Sequence, residues 1–142
     1  MNTREQSIAG ILAEHEGREG ALLPILHDVQ KELGCVDAAS EVLIAKGLNL
    51  SRADVHGVVS FYHDFHETAD ARPEVQVCRA EACQARGIEK LMPAAERAAG
   101  DRVKLTGVYC LGLCASGPAA RVGDRLYARL DSSGLTQVIE NA

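Results

Sequence analysis

The chain has 142 residues, of which 46% are hydrophobic and 25% are charged, a composition typical of a folded domain. The formal net charge of −5, without a Lys/Arg cluster, argues against nucleic-acid binding. No apolar run is long enough to cross a bilayer. The polar N-terminus, Met1 to Gln6, precedes no apolar segment, so we expect no secretory signal and a cytoplasmic protein.

Capping and breaking residues predict four short helices in residues 1–70. Apolar residues recur at helical spacing in this half, which is typical of helices that bury one face. A small helical bundle is therefore expected. The predicted helices begin at Thr3 (in a capping box with Gln6), Ala21, Asp37 and Ser51 (followed by Asp54), and Gly34 and Gly47 end the second and third.

Residues 71–142 have a different pattern, in which strands alternate with helices. Polar and apolar residues alternate from Glu74 to Cys78, as in a half-buried strand. The fold class expected for the whole chain is α+β, with an N-terminal helical bundle and a C-terminal α/β domain. The remaining predicted elements are a helix from Gln84 to Ala99, a strand from Val103 to Val108, a hairpin of Ala119–Val122 and Arg125–Arg129, and a helix from Asp131 to Glu140.

Four cysteines occur in two pairs, Cys78-x4-Cys83 and Cys110-x3-Cys114. Each pair follows a predicted strand, so both would lie at one sheet edge if those strands are parallel neighbours. The odd total of five cysteines and the expected reducing compartment argue against a disulfide framework. The pattern favours a metal or redox site.

Three interpretations of the four cysteines remain open from spacing alone. The wide gaps favour a [2Fe–2S] cluster, since the plant-type pattern also begins with a four-residue gap. A structural zinc site also takes four cysteines, although its pairs are usually two residues apart. Bystander cysteines without a metal are the third interpretation, whereas a redox dithiol would need Cys-x-x-Cys, which is absent.

Nearby residues suit a cluster. Gly112 and Gly117 permit close backbone approach and N–H donation to sulfur. Arg79 and Arg86 either offset the negative charge of four thiolates or are simply solvated. Cys35, far from the other cysteines, is expected to be a free structural thiol.

Three histidines in the helical half are expected to lie on a rim that faces a partner or solvent. A second metal site formed by them is the lesser alternative, because no cysteine completes it. Phe61 projects away from the apolar stripe of the fourth helix. It is a candidate contact with a neighbouring subunit, with burial inside the bundle as the alternative. The histidines are His56, His63 and His66.

Three segments carry a family resemblance. Gly57–Tyr62, the first cysteine pair, and Cys110–Cys114 followed by Gly117-Pro118 resemble the 24-kDa-type subunit of respiratory complex I. That family joins an N-terminal helical region to a thioredoxin-like [2Fe–2S] ferredoxin domain. Within it, His56–Phe65 and Val77–Gln84 are most similar to the gamma subunit of cytosolic NAD-dependent formate dehydrogenase, and Ala82 stands where complex I members usually carry Thr.

The resemblance implies an electron-transfer subunit with no complete active site of its own. It implies a [2Fe–2S] cluster held by Cys78, Cys83, Cys110 and Cys114, next to a flavin- and NAD-binding beta subunit. A molybdenum- or tungsten-containing alpha subunit would oxidise formate. Residues 1–70 would dock the partner and residues 71–142 would form the ferredoxin domain.

Other functions are the equivalent subunit of a NAD-reducing hydrogenase or of complex I, a structural four-cysteine zinc module, and a free-standing ferredoxin. The long helical extension argues against a free ferredoxin. No Gly-x-Gly-x-x-Gly or Gly-x-x-x-x-Gly-Lys-[Ser/Thr] motif is present, so a nucleotide site on this chain is not expected.

Overall fold

The computed structural model describes residues 2–142 and divides into two compact units, one ending at Ala71 and one from Arg72 to Ala142. The first unit is helical, with its core formed by apolar side chains that point inward from all four helices. Among the fully buried residues are Ile25, Ile44 and Val55. The helices are α1 (Thr3–Glu14), α2 (Leu22–Leu33), α3 (Ala38–Leu48) and α4 (Arg52–Phe61).

Two helix ends differ from the predictions. The capping box of α1 is formed by Asn2 and Glu5 and not by Thr3 and Gln6, because the Asn2 side chain accepts the Glu5 N–H at 2.9 Å while Glu5 accepts the Asn2 N–H at 3.0 Å. Helix α3 continues through Gly47 and ends at Leu48, and the following cap residue, Asn49, takes the left-handed conformation. Gly47 instead permits close packing, since a Cβ there would collide with Leu12.

The second unit is built around a mixed four-stranded sheet in the order β2-β1-β3-β4. Strands β1 and β2 are parallel, while β3 pairs antiparallel with both β1 and β4. Helices α6 and α7 pack together in its core, where Val75, Ile88 and Leu135 are buried. The elements are β1 (Glu74–Cys78), α5 (Glu81–Ala85), α6 (Ile88–Ala99), β2 (Lys104–Val108), a short 3-10 helix (Cys114–Ser116), β3 (Ala120–Val122), β4 (Arg125–Tyr127) and α7 (Ser132–Glu140).

The single helix predicted from Gln84 to Ala99 is wrong. The chain forms α5 and α6, which are separated at Gly87, where φ is +94°. Glycine adopts this left-handed conformation without the steric penalty of a side chain. The break makes α5 a separate short helix, and α5 carries Cys83.

The α+β class is confirmed. Among residues 2–142, no helix is both long and apolar enough to cross a membrane.

Candidate four-cysteine site

The two parallel strands bring the cysteine pairs to one edge of the sheet. Cys78 is the last residue of β1 and is paired in register with Val108, the last residue of β2. Beyond the strands, the Arg79 N–H donates to the Val108 carbonyl at 2.7 Å. Cys110 follows two residues later. The strands are parallel neighbours, which is the condition under which both cysteine pairs were expected at one sheet edge, and the two cysteine-bearing loops start side by side.

The remaining two cysteines lie on short helical segments. Cys83 is in α5, where the side chain of the neighbouring Gln84 donates to the Arg79 carbonyl at 2.7 Å and so ties the helix to the end of β1. Cys114 begins the 3-10 helix, and α5 contacts this 3-10 helix. Each pair therefore has one member at or just beyond a strand end and one on a helical turn that folds back.

The pairs differ in solvent exposure. Cys78 and Cys83 are each 2% exposed and belong to the apolar core, whereas Cys110 and Cys114 are exposed, with their Sγ atoms 3.8 Å apart. Cys83 interacts electrostatically with both Cys78 and Cys114. The four thiols thus converge, with one pair sealed in the core and the other facing solvent.

The thiols raise one another's pKa. Burial raises the pKa of Cys83, and its hydrogen bond with Cys78 adds to the increase. The pKa of Cys114 is raised first by its hydrogen bond with Cys110. The raised pKa values favour the protonated thiols, whereas a bound cation lowers the pKa of the thiols that coordinate it and favours the thiolates. The four thiols therefore fit a positively charged centre.

Backbone N–H groups point at two of the sulfurs. The Gly112 N–H donates to Cys110 Sγ at 3.3 Å, with Gly112 at a φ of +77° that favours glycine. The Ala119 N–H donates to Cys83 and acts to lower its pKa. Such donors stabilise negative charge on sulfur and tune a bound metal centre. The sequence indicated Gly112, whereas no sequence signal pointed to Ala119.

Arg79 does not stand as a free counter-charge. Its guanidinium makes a bidentate pair with Glu89, with Nε–Oε1 at 3.0 Å and NH2–Oε2 at 2.6 Å. This pair raises the pKa of Arg79 and lowers that of Glu89. The side chain lies across Gly107, where a Cβ would be 3.1 Å from its Cδ.

The helical unit contains a separate polar cluster that sequence reasoning missed. Glu41 is 1% exposed, and its carboxylate binds His56 Nδ1 at 2.8 Å and Arg52 Nε at 3.1 Å. Glu67 lies 3.6 Å from the same His56 nitrogen. His56 is exposed, as a rim position requires, but its ring is also a partner of a buried carboxylate. Hydrogen bonds satisfy Glu41 without a metal, so we ascribe a structural role to the cluster.

Two other expectations have clear structural outcomes. Phe61 is 74% exposed, which agrees with its predicted projection away from the core. Cys35 is half-buried in the helical unit and does not form a disulfide.

A mixed sheet with four thiols converging at its strand ends defines a metal-binding protein of the iron–sulfur or zinc class. The chain matches the thioredoxin-like [2Fe–2S] ferredoxin family over residues 8–142. It therefore belongs to that family, whose cofactor is a [2Fe–2S] cluster and whose role is electron transfer.

Its relatives are components of larger oxidoreductases. It is 29% identical to a subunit of NADH-quinone oxidoreductase from Rhizobium meliloti, and the match covers 98% of this chain and 88% of the relative. It is 27% identical to the HndA subunit of NADP-reducing hydrogenase from Solidesulfovibrio fructosivorans, with 86% and 77% covered respectively.

A solved structure shares the fold. A crystal structure of NAD+-reducing [NiFe]-hydrogenase superposes with a TM-score of 0.70 at 25% identity. The match covers 85% of this chain but only 22% of the hydrogenase chain, so it concerns one part of a longer protein.

Proposed function

We propose that this chain is the electron-transfer subunit of a cytosolic NAD-dependent formate dehydrogenase. It would carry one [2Fe–2S] cluster, held by Cys78, Cys83, Cys110 and Cys114, beside a flavin subunit. The observation that carries the proposal is the convergence of these four thiols at the ends of β1 and β2 in a chain of the ferredoxin family.

The cluster supplies one-electron transfer, and the chain's residues fix where it occurs. Cys78 and Cys83 hold one side in the apolar core, where water is excluded. Cys110 and Cys114 leave the other side open to an approaching redox partner. The contacts between the thiols divide them into a buried pair, Cys78 and Cys83, and an exposed pair, Cys110 and Cys114, and both pairs would hold the cluster.

The flavin and NAD sites belong, in this proposal, to a beta subunit, and the molybdenum or tungsten site to an alpha subunit. The absence of a nucleotide-binding motif in the sequence supports this division. Phe61 supports docking by the helical unit, because a large exposed aromatic ring is typical of subunit interfaces. Tyr62 stacks edge-on against it and is 42% exposed.

The resemblance of His56–Phe65 and Val77–Gln84 to the gamma subunit supports the assignment to formate dehydrogenase. The second candidate is the equivalent subunit of a NAD-reducing hydrogenase or of complex I, favoured by the similarity to the Rhizobium and Solidesulfovibrio proteins.

The test of the cofactor is analysis of the full-length chain purified without oxygen from iron-replete cells. We expect a brown protein with about two irons and about two sulfides, and an EPR signal after reduction, as for other [2Fe–2S] proteins. Stoichiometric zinc without iron would refute the proposed cofactor site.

The test of the assembly is isolation of the native complex through a tag on this chain. NAD reduction is then assayed with formate and with hydrogen, and NADH oxidation with a quinone. We expect formate to be the productive substrate. Activity with hydrogen or quinone alone would assign the chain to the second candidate.

A further inference from the structure

Arg86 lies against the buried side of the four-cysteine site. It caps the end of α5, three residues after Cys83, a spacing that places two side chains on the same side of a helix. Both side chains lie close to Gly117, because a Cβ placed on this glycine would be 2.9 Å from Cys83 Sγ and 3.2 Å from Arg86 Cδ. The arginine stem and the thiol therefore flank the same point.

The two arginines next to the cysteine site are not equivalent. Arg79 is held in the bidentate pair with Glu89, so its positive charge is balanced by a carboxylate. Arg86 has no ion-pair or side-chain hydrogen-bond partner among residues 2–142 and is exposed. Its charge is thus uncompensated within the part of the chain that the structure describes.

We propose that Arg86, whose side-chain stem lies beside Cys83, is a tuning residue that raises the reduction potential of the cluster through its unpaired positive charge. The inference rests on the proposed ligand set. A four-thiolate cluster gains one negative charge on reduction, and a nearby cation stabilises the more negative state more strongly. Charge and solvent exposure around a cluster are recognised determinants of its potential.

The experiment compares midpoint potentials of full-length holo-proteins by redox titration monitored through visible absorption and EPR. Arg86→Met is expected to lower the midpoint potential and Arg86→Lys to keep it near the wild-type value. Arg86→Glu is expected to lower it by about twice as much as Arg86→Met, because the interaction scales with charge. The g values should stay unchanged, since the four cysteines are untouched.

A matched control is Arg97→Met. Arg97 is also exposed and lies in the last turn of α6, so the substitution changes the net charge equally. Arg97 lies nine residues after Ile88, the first residue of α6, and the rise of about 14 Å along the helix separates this position from α5. We expect a much smaller change in potential than for Arg86→Met.

Salt gives a second diagnostic. The difference between wild type and Arg86→Met should shrink from about 0.01 M to about 1 M salt, because the screening length falls from about 30 Å to about 3 Å. An unchanged potential in Arg86→Met, an equal decrease in Arg97→Met, or a difference insensitive to salt would each overturn the inference. So would g values altered alike in Arg86→Met and Arg86→Lys, which would indicate a packing role.

Failure of the two proposals can be told apart. A wild-type chain that binds zinc and no iron overturns both. A normal cluster in wild type with the same potential in every Arg86 variant overturns only the role of Arg86. If Arg86→Met binds too little iron to titrate, Arg86→Gln and Arg86→Glu provide the same comparison against Arg86→Lys.

Discussion

At the scale of single residues, the difference in burial between the two cysteine pairs gives each a different task. Cys78 and Cys83 are packed among core side chains, so replacing either one changes both the cluster and the packing of the unit. Cys110 and Cys114 are exposed, so their replacement changes mainly the cluster. This asymmetry was not readable from the sequence, where the pairs look alike.

Serine substitution of the proposed ligands tests the ligand set. We expect Cys78→Ser, Cys83→Ser, Cys110→Ser and Cys114→Ser each to bleach or strongly destabilise the cluster, because each removes one thiolate. Visible absorption and iron content measure the loss. Cys35→Ser is the control and should leave the spectrum unchanged. Retention in Cys110→Ser together with loss in Cys35→Ser would show that the ligand set is wrong.

Glu41 presents a second case at this scale, because its buried carboxylate depends on two partners from α4. The double variant Arg52→Ala/His56→Ala should lower the free energy of unfolding by about 2 kcal/mol, because the buried Glu41 carboxylate then loses both of its hydrogen-bond donors. Urea denaturation followed by circular dichroism measures this change. Exposed Glu32 supplies the control, and Glu32→Gln should alter stability by less than about 0.5 kcal/mol. Equal stability of Arg52→Ala/His56→Ala and wild type would contradict the structural role.

At the scale of secondary-structure elements, Asp37 shows how one cap depends on charge. Its side chain accepts the Ser40 N–H at 2.9 Å and lies 2.8 Å from Arg4 NH2. The Ser40 N–H is the largest cause that lowers the pKa of Asp37 in the folded protein. The ionised form therefore stabilises the fold above the unfolded pKa of about 3.9.

This gives a pH-dependent prediction for the start of α3. Asp37→Ala should lower the free energy of unfolding by about 1 kcal/mol at pH 7. Asp37→Asn keeps a capping side chain but loses the charge, so it should lower the free energy of unfolding by less than Asp37→Ala does. The deficit of Asp37→Asn should diminish as the pH falls from about 5 through the lowered pKa of Asp37. Chemical denaturation across this range measures it, and a constant deficit would contradict the assignment.

Much of the second unit could be predicted because its signals are local. Alternation marked β1 at Glu74–Cys78, whereas the parallel pairing of β1 with β2 was only a condition in the sequence argument and is shown by the structure. The break between α5 and α6 was missed because a glycine inside a helical pattern is often tolerated, and only the φ of Gly87 reveals the turn.

Long-range polar pairing could not be predicted. Glu41 is on α3 and its partners are on α4, so nothing in the local sequence marks its burial. The pairing of Arg79 with Glu89 likewise joins two elements. In both cases the tertiary fold, and not the local pattern, decides whether a charge is free.

At the scale of the whole molecule, each compact unit has a buried core of its own. The core of the second unit includes Val75, Ile88 and Leu135 and contains Cys78 and Cys83. The core of the helical unit includes Ile25, Ile44 and Val55 and lies entirely within residues up to Ala71. A domain with its own buried core can in principle fold alone.

We therefore expect a fragment that starts at Ala71 to bind the cluster but to fail to join the complex. Its four cysteines and their supporting strands are all present, whereas the exposed Phe61 is lost. Capture of the flavin subunit by the full-length chain and by the fragment measures docking, and visible spectra of both measure cluster content. In the full-length chain, Phe61→Ser should weaken capture, whereas Val42→Ser, at a position that is also exposed, is the control. Unchanged capture by the fragment would refute docking by the helical unit, and a fragment without a cluster would show that the helices are needed for the ferredoxin unit to fold.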